Sequence, residues 1–531
     1  MDSLEIVSEN RLEQIRRLTQ IGMALSAEKN IDKLLETIID EARRLTHADG
    51  GTLYILSDDE RELNFAIVQN DTLAVRMGGT GTPMSWQPVR MRLPDLSENR
   101  TQVSAYAALT GEVVNIADVY DAVGFNFEGT RQFDTQTGYR SKSMLVVPMR
   151  NHENDIIGVV QLLNATDEET KEVVPFSAES QMMTESLASQ AAVALSKNGL
   201  IQDLETLLRS FITTIATAID EKSPYTGGHV RRVADLTMAI AQEINDKRDG
   251  FFADLSFTDE EMHELYFAAW LHDVGKITTP EHVVDKATKL EKIHDRIDIL
   301  RTRAEVMIRD REIACLKAAL NNRNGQDIPE SFFVDDDPVV KSLREDILFL
   351  EGINIGSEFL SDAMLARLAD IGKRQWQKDG CLLPFITDDE MENLSIRRGT
   401  LTDAERDVIN NHATVTYKML SQLPFPRKLS RVAAFAGAHH EKLDGTGYPA
   451  GLKKEDLSLQ SRILALADIF EALTAKDRPY KKGKTLQEAL NIMKFMVKDQ
   501  HIDGELFNLF IEEKIYLNYA IKELSPQQID Q

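Results

Sequence analysis

Two separated stretches of this 531-residue chain carry histidines and carboxylates that could bind metal ions. The first, Leu271 to Lys276, follows an apolar segment and contains a His-Asp pair. The second, His439 to Pro449, begins with two histidines, continues through Glu441 and Asp444, and ends in a Gly-x-Gly-Tyr-Pro turn that cannot continue a helix. Imidazole and carboxylate ligands without thiolate suit iron, manganese, zinc, nickel or cobalt. We interpret the two stretches as two halves of one metal site.

Hydrolysis of a phosphodiester is chemistry that such a site can perform. The substrate is an anion that repels hydroxide, and its alkoxide leaving group is poor, so the reaction near neutral pH needs charge neutralisation and an activated water. A pair of metal ions supplies both. The pair needs a carboxylate able to bridge, and Asp273 is the candidate. The remaining positions are assigned to His272, His412, His439, His440 and Asp468.

Composition limits the partners. Lys and Arg number 61 and Asp and Glu number 86, so the net charge of −25 argues against binding of nucleic acid polymers. The cysteines, Cys315 and Cys381, are far apart, which argues against a disulfide and favours the cytoplasm. No apolar run has the length of a signal peptide or a membrane span, so we expect no membrane association.

A chain of this length usually folds into several domains, so we expect the elements that position these residues to be divided among domains. Apolar periodicity predicts helices between Arg11 and Leu45. β-rich runs follow at Thr52 to Leu56, Ser143 to Met149 and Ile156 to Asn164. We therefore expect an α+β domain over 1–196, with an antiparallel sheet and flanking helices.

A long linker helix is predicted over 177–221, because this segment lacks proline and carries an apolar stripe. The spacing of the stripe is typical of a coiled-coil seam and favours a parallel homodimer. The alternative is a helix packed on its own domain. The stripe consists of Leu187, Ala191, Ala194, Ile201, Leu204, Leu208, Phe211 or Ile212, and Ile215.

The remainder, 222–531, is predicted to be an all-α domain. The segment 290–397 is helical in pattern, with a polar break near its middle, and we expect it to form an inserted helical hairpin. The insertion leaves and rejoins the chain near the predicted site. It is either a lid or a solvated surface insertion. Two helices are expected between Thr485 and Leu524.

The complete set of motifs resembles the HD-GYP family of metal-dependent phosphodiesterases, which cleave the bacterial second messenger cyclic di-GMP. The resemblance covers residues 205–290 and 397–500. Its motifs are His-Asp-x-Gly-Lys, an isolated helix histidine, His-His-Glu-x-x-Asp-Gly-x-Gly-Tyr-Pro, Ala-Asp-x-x-x-Ala-Leu-Thr and Asp-Arg-Pro-Tyr. The resemblance implies an HD-type phosphohydrolase domain with two ions, iron or manganese, on the same ligands.

The resemblance also implies roles for further residues. Lys276 would stabilise charge in the transition state, and Arg478 and Lys481 would contact phosphate and guanine. Tyr448 is expected in the loop that meets substrate, which in the family is proposed to dock diguanylate cyclase domains. Some members bind a third ion through a glutamate at the position of Tyr225, so we expect two ions here. Residues expected to support or weakly bind the metals are His229, Glu441, Asp444 and Glu471; Ser223 replaces a common aspartate.

Residues 14–196 resemble a GAF domain, a small-molecule sensor fold. The resemblance rests on the segment Phe133 to Arg140, of the form Phe-Asp-x-x-Thr-Gly-Tyr-Arg, and on the strand Gly158 to Asn164. Members that bind cyclic nucleotides carry Asn-Lys where this chain has Arg131 and Gln132. The domain is either a sensor for an unidentified small molecule or a module for dimerisation and signal relay.

The predicted function is hydrolysis of cyclic di-GMP to pGpG, with further cleavage to GMP left open, regulated by the GAF domain. Two alternatives remain. One is hydrolysis of another nucleotide, either a different cyclic dinucleotide or a dNTP. The Gly-Tyr-Pro loop argues against a dNTP. The other is a receptor or docking module that binds cyclic di-GMP without turnover.

Overall fold

The computed structural model describes residues 16–222, 227–322, 337–475 and 483–530. The chain packs as two compact units, Met1–Leu207 and Leu208–Gln531. Each unit buries its own hydrophobic cores. Within the described ranges, no helix combines the length and apolar character needed to span a membrane.

An antiparallel sheet forms the centre of the first unit. Its strands are β1 (Ala48–Leu56), β2 (Glu62–Asn70), β3 (Val75–Gly78), β4 (Val89–Arg90), β5 (Val114–Ile116), β6 (Met144–Arg150), β7 (Ile156–Thr166) and β8 (Val173–Val174). Six of them lie in the order β3-β2-β1-β7-β6-β5, while β4 pairs with β2 and β8 with β7. The predicted antiparallel sheet is confirmed.

Helices cover both faces of this sheet. They are α1 (residues 16–27), α2 (Ile31–Thr46), α3 (Val103–Thr110), α4 (Glu128–Thr137) and the long α5 (Ala178–Asp220). Asn30 caps α2, because its side chain accepts a hydrogen bond from the backbone N–H of Lys33 at 3.1 Å. Neighbouring residues of β1 point to opposite faces: Leu53 joins the core with α1 and α2, and Tyr54 joins the core with α3.

The apolar residues of α5 lie in three environments. Leu187, Ala191 and Ala194 lie in the core of the first unit. Ile212 and Ala216 are buried in the second unit. Part of the predicted stripe is thus packed within its own units. Most of the rest of it is exposed, namely Ile201, Leu204, Phe211 and Ile215, and so are Val193, Leu200 and Leu207 outside the stripe.

The second unit is mainly helical. In chain order its elements are α6 (His229–Asp246), α7 (Asp259–Leu271), a 3₁₀ helix (Val274–Thr278), α8 (Glu281–Val284), α9 (Ile297–Asn322), α10 (Pro338–Asn354), α11 (Asp362–Ile371), β9 (Gln375–Lys378), β10 (Cys381–Pro384), α12 (Asp388–Leu394), α13 (Asp403–Leu420), a 3₁₀ helix (Arg427–Leu429), α14 (Val432–Gly437), α15 (Leu459–Thr474), α16 (Leu486–Lys498), α17 (Gly504–Glu512), α18 (Ile515–Glu523) and a 3₁₀ helix (Pro526–Gln528).

The main core of this unit lies where α6 and α15 meet the C-terminal helices. The prediction of two helices between Thr485 and Leu524 is wrong, because three helices, α16 to α18, occupy this region. Lys514 has a φ of 53°, a left-handed backbone conformation that ends one helix before the next begins.

The insertion has a hydrophobic core of its own, built from α9 to α12 and the segments beside them. It also contains the β9–β10 hairpin, which the prediction of a purely helical insertion missed. Asp379 and Gly380 both have positive φ, 50° and 79°, as a two-residue turn between twisted strands requires. The Asp-Gly pair was the sequence signal for this hairpin.

Candidate metal centre

Histidines and carboxylates from distant parts of the second unit meet in one cluster. α6, α13 and α15 contribute side chains from within the helix, whereas α7 and α14 contribute residues that follow their last turns. All members except His440 are buried. This cluster, called the metal centre below, comprises His229, His272, Asp273, His412, His439, His440 and Asp468.

Three of the histidines are held in the same way. Nδ1 of His272 lies 2.7 Å from the carbonyl oxygen of Ala269, three residues earlier. The same contact is 2.6 Å long at His412 and at His439. Because a carbonyl oxygen only accepts, each Nδ1 carries the proton and each Nε2 presents its lone pair.

These Nε2 atoms have no hydrogen-bond partner among the described residues, although they are buried. Oδ1 of Asp273 shares this condition. Buried polar atoms normally have partners, and unpartnered ones that converge are the donor set that a metal ion satisfies. The residues present therefore fit the implied metal ions.

Asp273 lies between the histidines. Its Oδ2 is 3.2 Å from Nε2 of His272 and 3.3 Å from Nε2 of His229. Its Oδ1 is 3.4 Å from Nε2 of His412 and 3.9 Å from Nε2 of His439. The two carboxylate oxygens thus face different histidines, as a bridging ligand requires.

The candidate ligand atoms form two groups. Those of His412, His439 and His440 lie within 4.8 Å of one another, and those of His229, His272 and Asp273 do so as well. Oδ1 of Asp468 lies 3.3 Å from Nε2 of His229. The structure brings all of the predicted ligands together in two groups, with Asp273 close to histidines of both.

Electrostatics prepare the first group for metal binding. Burial lowers the pKa of His440 to about 4 and holds the pKa of His439 well below its ordinary value. Burial also lowers the pKa of His412. These imidazoles are consequently neutral near pH 7, the form that binds a cation.

His229 has a different environment. Its Nδ1 lies 2.5 Å from Oε2 of Glu471, and Oε1 of Glu471 accepts a 2.7 Å hydrogen bond from Nε of Arg232. Burial disfavours the charged form, but the carboxylates of Glu471, Asp273 and Asp468 outweigh it and hold the pKa of His229 well above its ordinary value. Glu471 therefore orients His229 toward the centre.

Lys276 lies at the edge of the centre. Its Nζ donates to Oδ2 of Asp273 at 2.6 Å, and its side chain is 33% exposed. Burial opposes ionisation of Asp273, but Lys276 and then His272 hold the pKa of its carboxyl well below the usual range. A positive charge thus stands on the side of the centre that solvent reaches.

The hydrogen bonds of Glu441 and Asp444 differ from those expected of residues that orient ligand histidines. The carboxylate of Glu441 accepts hydrogen bonds from the backbone N–H groups of Ala450, Gly451 and Leu452. Asp444 accepts from Thr446. Both acids shape the Gly-Tyr-Pro loop, because its turn leaves backbone donors that need acceptors. Tyr448 lies above the centre, with its ring centroid 4.8 Å from that of His440.

Some predicted positions lie outside the described residues. They are the substrate contacts Arg478 and Lys481 and the positions Ser223 and Tyr225.

Sequence reasoning missed residues that hold the ligands in place. Oγ1 of Thr416 donates to the carbonyl oxygen of His272 at 3.0 Å and accepts from the N–H of Gly275 at 3.0 Å. Arg232 supports Glu471, as described above. Thr416 lies four residues after His412, and Arg232 three after His229, so helical spacing from each histidine could have identified both.

Comparison with protein families agrees with this architecture. A GAF domain model matches residues 30–195, and two HD domain models match residues 226–350 and 387–506. The chain therefore combines a GAF domain with an HD domain. HD domains are metal-dependent hydrolases, and the metal centre lies within the matched regions. Residues 351–386, which belong to the insertion, separate the two HD matches.

Three curated relatives are similar to part of this chain. A 3'3'-cGAMP-specific phosphodiesterase 1 of Vibrio cholerae is 38% identical over 138 residues, 26% of this chain and 31% of that protein. A cyclic di-GMP phosphodiesterase of Thermotoga maritima is 38% identical over 98 residues, 18% of this chain and 26% of its own length. Another, of Pseudomonas aeruginosa, is 38% identical over 114 residues, 22% and 26% of the respective lengths. The chain spans a third or less of each relative.

Proposed function

We propose that the HD domain is a metal-dependent phosphodiesterase that hydrolyses cyclic di-GMP to pGpG. The observation that carries this proposal is the convergence of unpartnered Nε2 atoms of His272, His412 and His439 on the carboxylate of Asp273. Relatives named as cyclic di-GMP phosphodiesterases support the choice of substrate.

The chain contributes ligands, orientation and a positive charge to this reaction. His272, Asp273, His412, His439, His440 and Asp468 would hold two ions, with His229 as a further ligand or as support for Asp273 and Asp468. The ions would supply charge neutralisation and an acidified water. Lys276 would then stabilise negative charge that develops on the phosphate. Tyr448 offers an aromatic face beside His440 on which a guanine base can stack.

Iron or manganese is the proposed metal: the donor set of imidazole and carboxylate without thiolate suits several transition metals, and the resemblance to the HD-GYP family implies these two. The two cysteines, Cys315 and Cys381, are free and are not members of the centre. Metal analysis of anaerobically purified protein tests the metal assignment.

Turnover of cyclic di-GMP by iron- or manganese-loaded protein, with products separated by chromatography, tests the function. Wild-type protein is expected to form pGpG, and Asp273→Ala should lose turnover and metal. Binding of cyclic di-GMP without turnover would favour the receptor alternative. An Asp273→Ala variant with undiminished turnover would refute the site.

A second substrate, 3'3'-cGAMP, is kept because three relatives are named as specific for it. Direct competition between the two cyclic dinucleotides decides the assignment. A preference for cyclic di-GMP in kcat/KM supports the main proposal, and the opposite preference replaces it.

The GAF domain is proposed to regulate this activity. In the segment Phe133 to Arg140, Asp134 accepts hydrogen bonds from Ser141 and from the hydroxyl of Tyr120. Arg131 donates to the backbone carbonyl of Tyr120. The Asp134 carboxylate thus serves the fold, and an unidentified small molecule or a purely relaying role both remain compatible with the domain.

We also propose a parallel homodimer through α5. Five of its exposed apolar residues follow heptad spacing, with steps of seven, four, three and four, which is the pattern of a coiled-coil seam. They are Val193, Leu200, Leu204, Leu207 and Phe211.

The loop from Gly445 to Pro449 is the proposed contact for a diguanylate cyclase domain, as in the HD-GYP proteins that this chain resembles.

A further inference from the structure

We propose that Lys222 is a positioning residue that ties the end of α5 to the turn bearing Asp273 and Lys276. This inference rests on the proposed phosphodiesterase function and adds to it a residue through which the linker helix acts on the metal centre. All of the contacts that carry it lie within the second unit.

Lys222 follows the last residue of α5 by two positions. Its Nζ donates to the carbonyl oxygens of Ile277 and Thr279, each at 2.8 Å, and lies 3.5 Å from that of Lys276. These carbonyls belong to the end of the 3₁₀ helix Val274–Thr278 and to its C-cap. The last carbonyls of a helix lack intrahelical donors, and a cation there satisfies them and interacts favourably with their dipoles.

The same turn carries the reactive groups. Asp273 is the N-cap of this 3₁₀ helix, and Lys276 lies within it. The Nζ of Lys276 reaches Asp273 at 2.6 Å. A displacement of the turn therefore moves both groups relative to His412 and His439, which other helices hold.

The last turns of α5 also pack near this turn. Ile212 lies in one buried cluster with Leu271 and Val274. A cavity of about 20 Å³ is bounded on the α5 side by Ala216, Ile219 and Asp220. Its remaining lining includes Trp270, Asp273 and Lys276. The end of α5 and the His-Asp turn thus share one packed region. Lys222 adds hydrogen bonds between the end of α5 and the carbonyl oxygens of this turn.

The physical consequence is a direct path from the linker helix to the centre. The Lys222 ammonium adds charge-assisted hydrogen bonds, which are stronger than neutral ones, to the apolar packing between α5 and the turn. A shift of α5 would be passed to Asp273 and Lys276 through this contact. Removing the ammonium should loosen the turn while leaving the ligand side chains unchanged.

The test compares Lys222→Met, Lys222→Arg and the control Lys418→Met, an exposed lysine of α13. Manganese affinity is measured by calorimetry, and kcat and KM are measured with cyclic di-GMP. Lys222→Met should lower kcat and manganese affinity by about tenfold or more, the range seen when groups supporting metal ligands are removed. KM should change less than kcat. Lys222→Arg should recover most of the loss, and Lys418→Met should match wild type.

Wild-type manganese affinity and kcat in Lys222→Met would overturn the inference. Equal losses in Lys222→Arg and Lys222→Met would also overturn it, since they would show that charge at this position does not matter. If wild-type protein lacks turnover, the proposed function fails, but manganese affinity still tests Lys222. If Lys222→Met does not fold, Lys222→Gln replaces it in every comparison.

Discussion

The two ring nitrogens of a ligand histidine have separate tasks in this centre. At His272, His412 and His439, Nδ1 donates a hydrogen bond to a backbone carbonyl oxygen three residues earlier, so the backbone geometry orients the ring. At His229 the acceptor is the carboxylate of Glu471. A carboxylate raises the basicity of the ring more than a carbonyl does. The orientation of His229 therefore also depends on the charge of a neighbouring side chain.

Replacing Glu471 with Gln should therefore weaken the centre at His229. Gln keeps the shape but removes the charge, so both His229 and Arg232 lose a charged partner in a fully buried position. Activity or manganese affinity should fall by about 10–100-fold. The readouts are calorimetric titration with manganese and turnover. Glu345→Gln, an exposed carboxylate of α10, is the matched control and should have no effect.

Lys289 supports a pH prediction away from the centre. It is 1% exposed, and burial lowers its pKa from 10.5 to about 8. Below pH 8 both folded and unfolded states are protonated, so the full cost of burying the charge is present. Between about 8 and 10.5 the unfolded state holds more protons, and the stability of wild type rises with pH.

Lys289→Met should consequently stabilise the protein at pH 7, by up to about 3 kcal/mol. The gain is reduced by loss of the 3.2 Å hydrogen bond to the carbonyl of Leu394. The stabilisation of the variant relative to wild type, read as a difference in Tm by scanning calorimetry, should shrink as pH rises from 8 to about 10.5. A difference independent of pH would contradict this account.

At the scale of elements, the metal centre depends on how closely α13 approaches the His-Asp turn. A Cβ on Gly275 would lie 2.0 Å from the carbonyl oxygen of His412 and 2.7 Å from the N–H nitrogen of Thr416. These are backbone atoms, which cannot rotate away. Only glycine permits the approach that places His412 beside Asp273.

Gly275→Ala should therefore push α13 away and separate ligands of the centre. We expect destabilisation of about 1–3 kcal/mol, typical of overpacking, together with weaker manganese binding. Gly352→Ala is the control: this glycine lies in α10 with nothing within 4 Å of its added Cβ. That change should stabilise its helix by roughly 0.5–1 kcal/mol without affecting metal. Thermal unfolding and calorimetry distinguish the two variants.

At the scale of the molecule, α5 belongs to both units. Its first half completes the core of the GAF domain, and its last turns complete a core of the HD domain. These contacts use one set of apolar residues and leave the heptad set exposed. Exposed apolar residues at regular spacing along a helix are costly in water unless a partner covers them.

The seam predicts a dimer that depends on two of its central residues. Leu204→Glu with Leu207→Glu should convert the dimer to monomer, because four like charges would meet in a parallel coiled coil. Both side chains are well exposed, at 66% and 65%, so each folded unit should persist. Light scattering measures the mass. Ile293→Glu, at a 97% exposed position in the insertion, should leave it unchanged.

The sequence by itself determined the ligand types, the order of the motifs and the alternation of helical and β-rich segments. Residue type and local periodicity carry this information, because helices and strands repeat over short distances. The Asp-Gly turn of the β9–β10 hairpin and the third C-terminal helix were local features too, yet the prediction missed them. Helical periodicity, which predicts the helices of the insertion, does not detect a two-residue turn between strands.

Only the tertiary structure decided which groups support which. Glu441 holds a loop, Glu471 holds His229, and Lys222 reaches carbonyls 54 to 57 residues away. The apolar residues of α5 were likewise divided between packed and exposed sets by neighbours distant in sequence. The physical reason is that a hydrogen bond or a packing contact depends on separation in space, and spacing along the chain determines that separation only within one helix or strand.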